Sequence, residues 1–558
     1  MADDKLHPRV KHCLDRFEEL KSKRSNFDSS WQKISELMLP SRTFTLQRLP
    51  GELRTRNLRD PIGTLAVKRL AAFLYGYQLS PAEPWTQPHL LSRDPSSEEA
   101  LWFERCEWIM HAYFSGPTSP IATNLFEASL DLCAFGSNAL YKPRRKGQPP
   151  RLQSLALMSC YVDENSEGKT DTVYRPFELS ARQAKEDAKN KNWQSAKLME
   201  AAEKDPRKKL SFLHAIEPRA GGEVGAIRKR KPYTSTVIWL DQKELLEDEG
   251  FDRMPIQFSR FDRRSGEVYG TGPSWDAYPA VFSCNAIAES ILRGAELAVD
   301  PILFGNTAIF GGKLDRRPGA FNPLNGPSLF GRDVNQMVGK LDLGGDVRLG
   351  VELLRAQRSQ VEAMFYIDWL DMNEGPQKTA TEIVDRRDMR LRMLAPVSAR
   401  MEQEWLNPLV EDFFFGMLDA GMFPTPPQSL AEEEIGFHYR SPLALAQRGQ
   451  HVDAIQKTFM LATQAAQLDP TAVQVIRADE ALRKAARYLG LSEKELRPFE
   501  EIEAQRQQMA QQQQDQHDAQ VAQMAGAAAQ QGAQAIASLA QAENQAGAAE
   551  VPLRRRAA

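Results

Sequence analysis

Apolar residues recur at helical spacing from the start of the chain. Val10, Leu14, Phe17 and Leu20, then Trp31, Ile34 and Leu37-Met38, repeat with charges between them. That spacing puts them on one face and predicts helix over 7–38, ended by Pro40. The same pattern predicts helices over 64–75, just after Asp60-Pro61, over 98–114 with Trp102, Cys106, Ile109 and Tyr113, and over 121–134.

The period then shortens to two. Asn138–Tyr141 and Leu152–Val162 read as extended, and alternation resumes at Thr170–Tyr174 beyond the turn-rich Asp163–Gly168. Residues 157–175 therefore read as a β-hairpin. Ser180 is placed to cap a polar helix through Ala202. Leu210–Ile216 and Tyr233–Leu240 are further extended runs, flanking a Gly-rich basic loop.

Helical texture returns at Ala280–Val299, opened by Pro279 and closed by Asp300-Pro301. Gly and Pro crowd 301–350, which reads as a compact β-rich or irregular module. A second helix, Glu352–Leu370, carries Leu354, Val361, Phe365 and Trp369, and Asn373-Glu-Gly-Pro376 breaks it. Thr379-Ala-Thr-Glu382 has capping-box spacing and opens a long helix. Pro396 falls inside that helix and predicts a kink, because proline removes one backbone bond and clashes with the preceding turn. Helical hairpins fill 442–490. Farther on, 503–545 contains fifteen glutamines, and its few large apolar residues are Met509, Val521, Met524, Ile536 and Leu539. They are too sparse for a core of their own, so the tail is either disordered or a helix stabilised by neighbouring copies.

Charge changes the picture only locally. The 558 residues hold 71 Lys+Arg against 74 Asp+Glu, a net charge of −3, which excludes a simple polybasic nucleic-acid coat. Segment 204–232 nevertheless carries nine Lys/Arg and three acids, and 241–252 carries six acids and one Lys. Two readings stand: neighbouring patches that neutralise each other, or a basic hairpin whose Lys229, Arg230 and Lys231 contact a partner or DNA. Five dispersed cysteines without a C-x-x-C pair read as buried thiols in a reducing compartment. No apolar run is long enough to span a bilayer and the first residues lack a signal-peptide layout, so a soluble protein without membrane contact is expected.

The chain shows no G-x-x-x-x-G-K-[ST] loop, no strand followed by G-x-G-x-x-G, no H-E-x-x-H and no G-x-S-x-G. No enzyme activity, metal or cofactor is expected. Gly270-Thr-Gly-Pro273 reads as a turn before a helix. Arg386, Arg387, Arg390 and Arg392 share a helix with Glu382, Asp385 and Asp388, which gives either a salt-bridged surface or a phosphate-facing one.

Several segments, in order, resemble the head-to-tail connector (portal) proteins of short-tailed bacteriophages. They are Trp31…Pro40 with Asp60-Pro61 and Leu70-Ala-Ala-Phe-Leu74; Ser80-Pro81…Trp85; Phe135-Gly136…Leu140-Tyr141; Gly168-Lys-Thr-Asp-Thr-Val-Tyr-Arg175; and Arg182-Gln183. Tyr269-Gly-Thr-Gly-Pro273, Ala295–Pro301, Thr379–Glu382, Leu394-Ala-Pro396 and Tyr439-Arg-Ser-Pro-Leu443 continue the series. No single piece is specific; their colinearity over roughly 25–450 is.

The resemblance implies an α+β, mainly helical subunit of a ring, usually of twelve copies, with wing, helical stem, clip and helical crown. On this chain it places a wing at 1–272, a stem helix at 273–299, a clip at 300–352 and a second stem helix at 353–371. A channel loop follows at 372–378, then a kinked wing helix and return at 379–441, a crown at 442–495, and a barrel or disordered tail at 496–558. It further implies that Glu374, Gly375, Pro376, Gln377 and Lys378 face double-stranded DNA passing through the ring, with Thr379, Glu382 and Pro396 capping and kinking the next helix. Arg386, Arg387, Arg390 and the 229–231 cluster are the candidate phosphate or partner contacts. The implied partners are further copies of the chain, the terminase motor, the major capsid and scaffolding proteins and the tail adaptors, in the virion and, during assembly, in the host cytoplasm. A structural neck or tail adaptor without a part in packaging is the competing reading; adaptors are usually much shorter and lack the helix–clip–helix insert.

Overall fold

The apolar spacing at the start of the chain becomes one 31-residue helix, α1 (Pro8–Met38). The ring of His7 accepts a hydrogen bond from the Arg9 amide, and Pro8 occupies the first turn, where a missing N–H costs nothing. The computed structural model describes residues 6–42, 52–79, 84–116, 119–143, 147–191, 193, 195–219, 231–306, 315, 317, 320–324, 338–340, 347–367, 396–431, 433–439, 442–466, 476–489, 491, 495–497 and 499–546. The chain divides into two compact units, Met1–Asp94 with Trp102–Ala454, and Pro95–Leu101 with Ile455–Ala558.

Two packed regions of the first unit share α1. Its early face, Val10, Cys13 and Leu20, packs on an antiparallel sheet of five strands in the order β4-β5-β6-β7-β8. These are β4 (Tyr161–Glu164), β5 (Thr170–Ser180), β6 (Lys209–Pro218), β7 (Tyr233–Trp239) and β8 (Glu244–Phe251). Helices α5 (Ala181–Lys191) and α6 (Ala196–Lys204) cover the opposite face through Ala184, Ala188, Trp193, Leu198 and Ala202. Side chains alternate across a strand. Phe212 accordingly packs under α5 and α6, and Leu213 under α1.

The later face of α1, from Trp31 to Met38, enters a larger core. Around it stand α2 (Ile62–Gln78), α4 (Ile121–Phe135), most of α3 (Ser97–Ser115) and a three-stranded sheet of β2 (Ser137–Tyr141), β3 (Gln153–Leu155) and β9 (Ile256–Arg260). The helices α7 (Pro273–Val299) and α8 (Val347–Met364) adjoin this core. Between them lie short strands β10 (Leu303–Asn306), β11 (Phe321–Leu324) and β12 (Val338–Lys340), in the order β11-β10-β12. A helix over residues 396–401 runs through a π turn, Glu402–Leu406, into α9 (Asn407–Asp419). Strand β1 (Thr86–Leu90) pairs antiparallel with β13 (Ile435–Tyr439), Thr86 opposite Tyr439.

In the second unit, α11 (Ala478–Leu489) and the 48-residue α12 (Phe499–Ala546) are joined by Arg506 and Asp479 at 3.1 Å. Helix α10 (Pro442–Ala466) leads into it. Among its described residues from 455 onward, none joins a buried hydrophobic cluster.

Several expectations change. Helix α7 starts at Pro273, so Pro279 lies inside it rather than opening it; having no N–H, it removes the backbone bond that would otherwise reach Trp275 O. Helix α8 starts at Val347 and ends at Met364, earlier at both ends than read, and Tyr366 beyond it has φ +60°. The polar helix from Ser180 is two helices, because Trp193 turns inward between them and its indole donates to Glu247 Oε2 at 2.8 Å. Leu157–Ser159 forms a 3₁₀ turn, and the hairpin begins only at Tyr161. The acidic 241–252 stretch contains strand β8: Leu246 and Gly250 face inward, and Glu247 takes the Trp193 indole.

Candidate functional site: the paired helices and their seat

Helices α7 and α8 run antiparallel, as three pairs of positions show. A Cβ on Gly350 would lie 3.1 Å from Ile291 Cγ1. Arg358 and Asn285 meet at one segment. Tyr366, its phenol pushed up by burial, also feels Asp276. As the number rises on α8 it falls on α7.

The start of α7 is seated by glycine. Gly136 ends α4 at φ +80°, and a Cβ there would lie 2.3 Å from the Thr271 carbonyl carbon. A Cβ on Gly270 would lie 2.3 Å from Gly136 O. Two backbones thus cross where no side chain fits. Thr271 and Asp262 exchange backbone hydrogen bonds at 2.9 and 3.0 Å, and Gly270 N donates to Ser137 Oγ at 2.9 Å. Ser274 Oγ donates to Cys133 O at 3.0 Å, and the indoles of Trp31 and Trp275 both donate to Phe135 O. Gly270-Thr-Gly-Pro273 is therefore a crossing that aims a helix.

Halfway along, one segment hooks both helices. Asn285 Oδ1 on α7 accepts from the amides of Arg59 and Asp60 at 2.6 and 3.2 Å. The Asp60 carboxylate accepts from Arg358 on α8 at 3.0 and 3.3 Å, and its Oδ1 also accepts from Ile62 N at the start of α2. Asp60 is buried, so this charge is compensated on both sides, as a buried carboxylate requires.

Past Ala288 no residue of α7 is buried. Leu292 and Val299, seven apart, are 53% and 87% exposed, and Leu349 and Leu353 on α8, four apart, are 65% and 50% exposed. Seven and four are helical repeats, so each pair forms an apolar stripe.

A second polar centre surrounds the π turn. Arg260 at the end of β9 donates from its backbone N and from Nε to Glu404 Oε2, at 3.0 and 3.1 Å, and from Nη2 to Oε1 at 3.0 Å. Its Nη1 donates to Glu164 Oε2 at 2.9 Å and Nη2 to Gly168 O at 2.8 Å. Arg263 completes the group on Glu164 Oε1 at 2.6 Å. Gln257 Nε2 donates to Glu404 O and Trp405 O, and Ser259 Oγ donates to Glu404 O. On the neighbouring strand side, buried Lys142 pairs with Asp412 and donates to Pro408 O at 3.2 Å.

Two buried groups titrate unusually. Asp131 on α4 is pushed up to about 7 by burial, against the pull of Arg42 Nε at 3.1 Å and with a small push from Glu127. His214 on β6 is pushed down to about 3 by burial, with Lys191 and Arg175 adding; its Nε2 lies 3.0 Å from Ser235 Oγ. All five cysteines are free and buried, and burial raises the thiols, Cys13 to about 11 and Cys106 to about 12.

The sequence-derived site residues fall as follows. Glu374, Gly375, Pro376, Gln377, Lys378, Thr379, Glu382, Arg386, Arg387, Arg390, Lys229 and Arg230 lie outside the described residues. Lys231 pairs with Asp252 at 3.0 Å, and its carbonyl accepts from Arg219 Nε, the neutralising arrangement. Pro396 is the first described residue of its helix. The expected kink before it lies outside the described residues; the interruption among the described residues comes later, at the π turn before Pro408. Sequence reasoning passed over Arg260 and Glu404, Arg358 and Asn285, because a partner more than a hundred residues away leaves no local signal. The sequence marks Asp60 only as a helix boundary and as part of the Asp60-Pro61 segment of the family resemblance.

The family model for the bacteriophage head to tail connecting protein matches residues 10–496. The chain belongs to that family. Head-to-tail connection, the role of a portal, is its function, and connectors of this family are structural proteins. Two curated relatives of the connector are a probable portal protein of Bordetella phage BPP-1, 27% identical over 521 residues that cover 90% of this chain and 92% of the relative, and the portal protein of Salmonella phage epsilon15, 25% identical over 519 residues covering 90% and 91%. Among solved structures, the neck of an empty GTA particle aligns with 74% of this chain and 91% of its own, at 13% identity and a TM-score of 0.35. No helix among the described residues of the connector is long and apolar enough to cross a membrane.

Proposed function

We propose that the connector works as a ring of identical copies, twelve in number, at one vertex of a phage head, and that double-stranded DNA passes through it inward during packaging and outward at ejection. The observation that carries this reading is the family match over 10–496, joined to a helix pair whose inner half is seated in a core and whose outer half exposes Leu292, Val299, Leu349 and Leu353. Exposed apolar stripes on a rigid pair are surfaces for neighbouring copies.

In that reading α7 and α8 are stem helices, the short strands between them the clip, and residues 1–272 with 379–441 the wing. Residues 442–495 are the crown. Glu374, Gly375, Pro376, Gln377 and Lys378 form the channel loop, Gly375-Pro376 supplying the break. The connector performs no covalent chemistry: a terminase motor supplies the work, and capsid, scaffolding and tail adaptor proteins are its other partners, in the virion and, during assembly, in the host cytoplasm. Arg386, Arg387, Arg390 and 229–231 remain candidate phosphate or partner contacts.

Charge supports passage rather than grip. A net charge of −3 per copy gives a ring without the counterion-releasing, salt-dependent hold of a basic protein on DNA. The tail fits assembly from several copies. On α12 the exposed large residues Met509, Val521, Met524, Ile536 and Leu539 recur at intervals of 12, 3, 12 and 3. Fifteen residues in four turns exceeds the α-helical period of about 3.6, so helices sharing this stripe would wind right-handed around one another.

Electron microscopy of purified connector tests the ring: rings with an axial hole are expected, and a monomer under every assembly condition overturns it. Deleting 374–377 tests the channel loop. Reduced packaging or genome loss is expected, and normal packaging with full retention removes the loop from the mechanism.

A further inference from the structure

A π turn holds one more residue than an α turn, and such turns are frequent at functional sites. Here the cause is in the sequence. Pro408 has no N–H, so in α register Glu404 O would face a nitrogen that cannot donate. Gln257 Nε2 and Ser259 Oγ of β9 occupy that carbonyl instead, at 2.9 and 3.0 Å. The Asn407 amide reaches back five residues to Glu402 O, closing the wide turn.

The flank after the turn is anchored by five large side chains. After the turn, α9 buries Leu409, Val410, Phe413, Phe414 and Met417. Before it, Ser398 and Met401 are buried among the described residues 396–401. If the extra residue were released, α9 would stay and the preceding helix would move, by about 1.5 Å along its axis and about 100° around it. What opposes this is Arg260, whose backbone N, Nε and Nη2 hold the carboxylate of Glu404 in the middle of the turn while the rest of its guanidinium is fixed by Glu164 and Gly168.

We propose that the Glu402–Leu406 turn is a one-residue register store latched by Arg260, through which the helix before it takes two positions one residue apart. Arg260 is a positioning residue: it acts through Glu404 on the helix whose first described residue, Pro396, stands eighteen residues after Lys378. The use of the two positions, to let the channel side of each subunit step while its core stays still, rests on the portal reading; the two positions themselves do not.

Thiol labelling of full-length protein reads the register. Met401 is 1% exposed, and the five natural cysteines are buried, so Met401→Cys reports on a nearly silent background. The single variant should label slowly. Adding Pro408→Ala, which returns a donor to Glu404 O, should speed labelling about tenfold, the population shift expected when one hydrogen bond is restored and its competitor displaced. Adding Glu404→Gln instead weakens the latch and keeps the proline, and should give an intermediate rate. Folding is checked for each by circular dichroism and ring formation. Folded variants that both label at the slow rate leave a single register and overturn the proposal. Fast labelling by Pro408→Ala rings that package and retain DNA normally overturns the role in DNA passage. Failure of the unmodified protein to form rings or package at all would overturn the portal reading instead, with the labelling result unaffected.

Discussion

The guanidinium of Arg358 lies 3.0 and 3.3 Å from the two carboxylate oxygens of Asp60, joining α8 to the start of α2 across 298 residues of sequence. Because Asn285 of α7 holds the backbone just before that carboxylate, both helices of the pair are fixed to one point. Arg358→Ala leaves the buried carboxylate without its cation. Removing one partner of a fully buried pair costs roughly 3–5 kcal/mol; with Arg358 partly exposed, about 1–2 kcal/mol is expected, discounted for solvent screening. Urea unfolding should show the loss, and Asp60→Asn in the Arg358→Ala background should recover part of it.

Gly136→Ala should be among the most damaging single changes in the chain. It places a Cβ 2.3 Å from the Thr271 backbone at φ +80°, so positive-φ strain of roughly 1–2 kcal/mol adds to a contact that neither backbone can yield. Soluble yield and melting temperature should both fall. Gly147→Ala, also at positive φ but with open space around it, should cost only the strain.

The exposed stripes on α7 and α8 separate assembly from folding. Leu292→Ser with Leu353→Ser should leave the stability of the unassembled chain within about 0.5 kcal/mol, as for surface changes generally. Ring formation, read by sedimentation or native mass measurement, should fall sharply. Unchanged assembly would remove these residues from the subunit contact.

Asp131 and His214 predict opposite pH slopes. The folded-state value of Asp131, about 7, lies above its ordinary 3.8; its stabilising contribution is complete below 3.8 and is lost as pH rises towards 7. His214, about 3 against an ordinary 6.5, contributes stability above 6.5 that is lost as pH falls towards 3. Between pH 4 and 6.5 the two oppose each other. Melting curves should show Asp131→Asn to be relatively more stabilising at pH 8 than at pH 5, and His214→Gln to flatten the loss on acidification.

Much of this architecture could be read locally, and the reasons differ by element. The early helices carry their apolar stripe and their stop residues within a few turns, so α1, α3 and α4 were found to within a residue or two. Strands β1, β9 and β13 were missed because each is five residues long and is defined by a partner elsewhere; β1 pairs with a segment some 350 residues away. The acids of 241–252 looked like a surface patch because a strand at the sheet edge can alternate charge with few apolar positions. Pro396 drew attention as a helix breaker, whereas the π turn depends on Pro408 together with Gln257 and Ser259, a combination visible only when β9 is beside the helix. The family was legible because short, individually ordinary motifs keep their order along the chain.

The seat of α7 also makes it a lever. Its first turn is clamped at the glycine crossing, Asn285 is tied to Asp60, and beyond Ala288 nothing is buried. Some fourteen residues, about 21 Å of helix, run from Asn285 to the end of α7, braced by Ala288 and by Ile291 where it meets the core and α8. A tilt of about 3° at Asn285 displaces the far end by about 1 Å, which is comparable to one residue's rise. Small adjustments at a buried carboxylate are thus geared up to the scale of a step along the helix, and stiffness at Asp60 sets how much force the far end can pass back to the core.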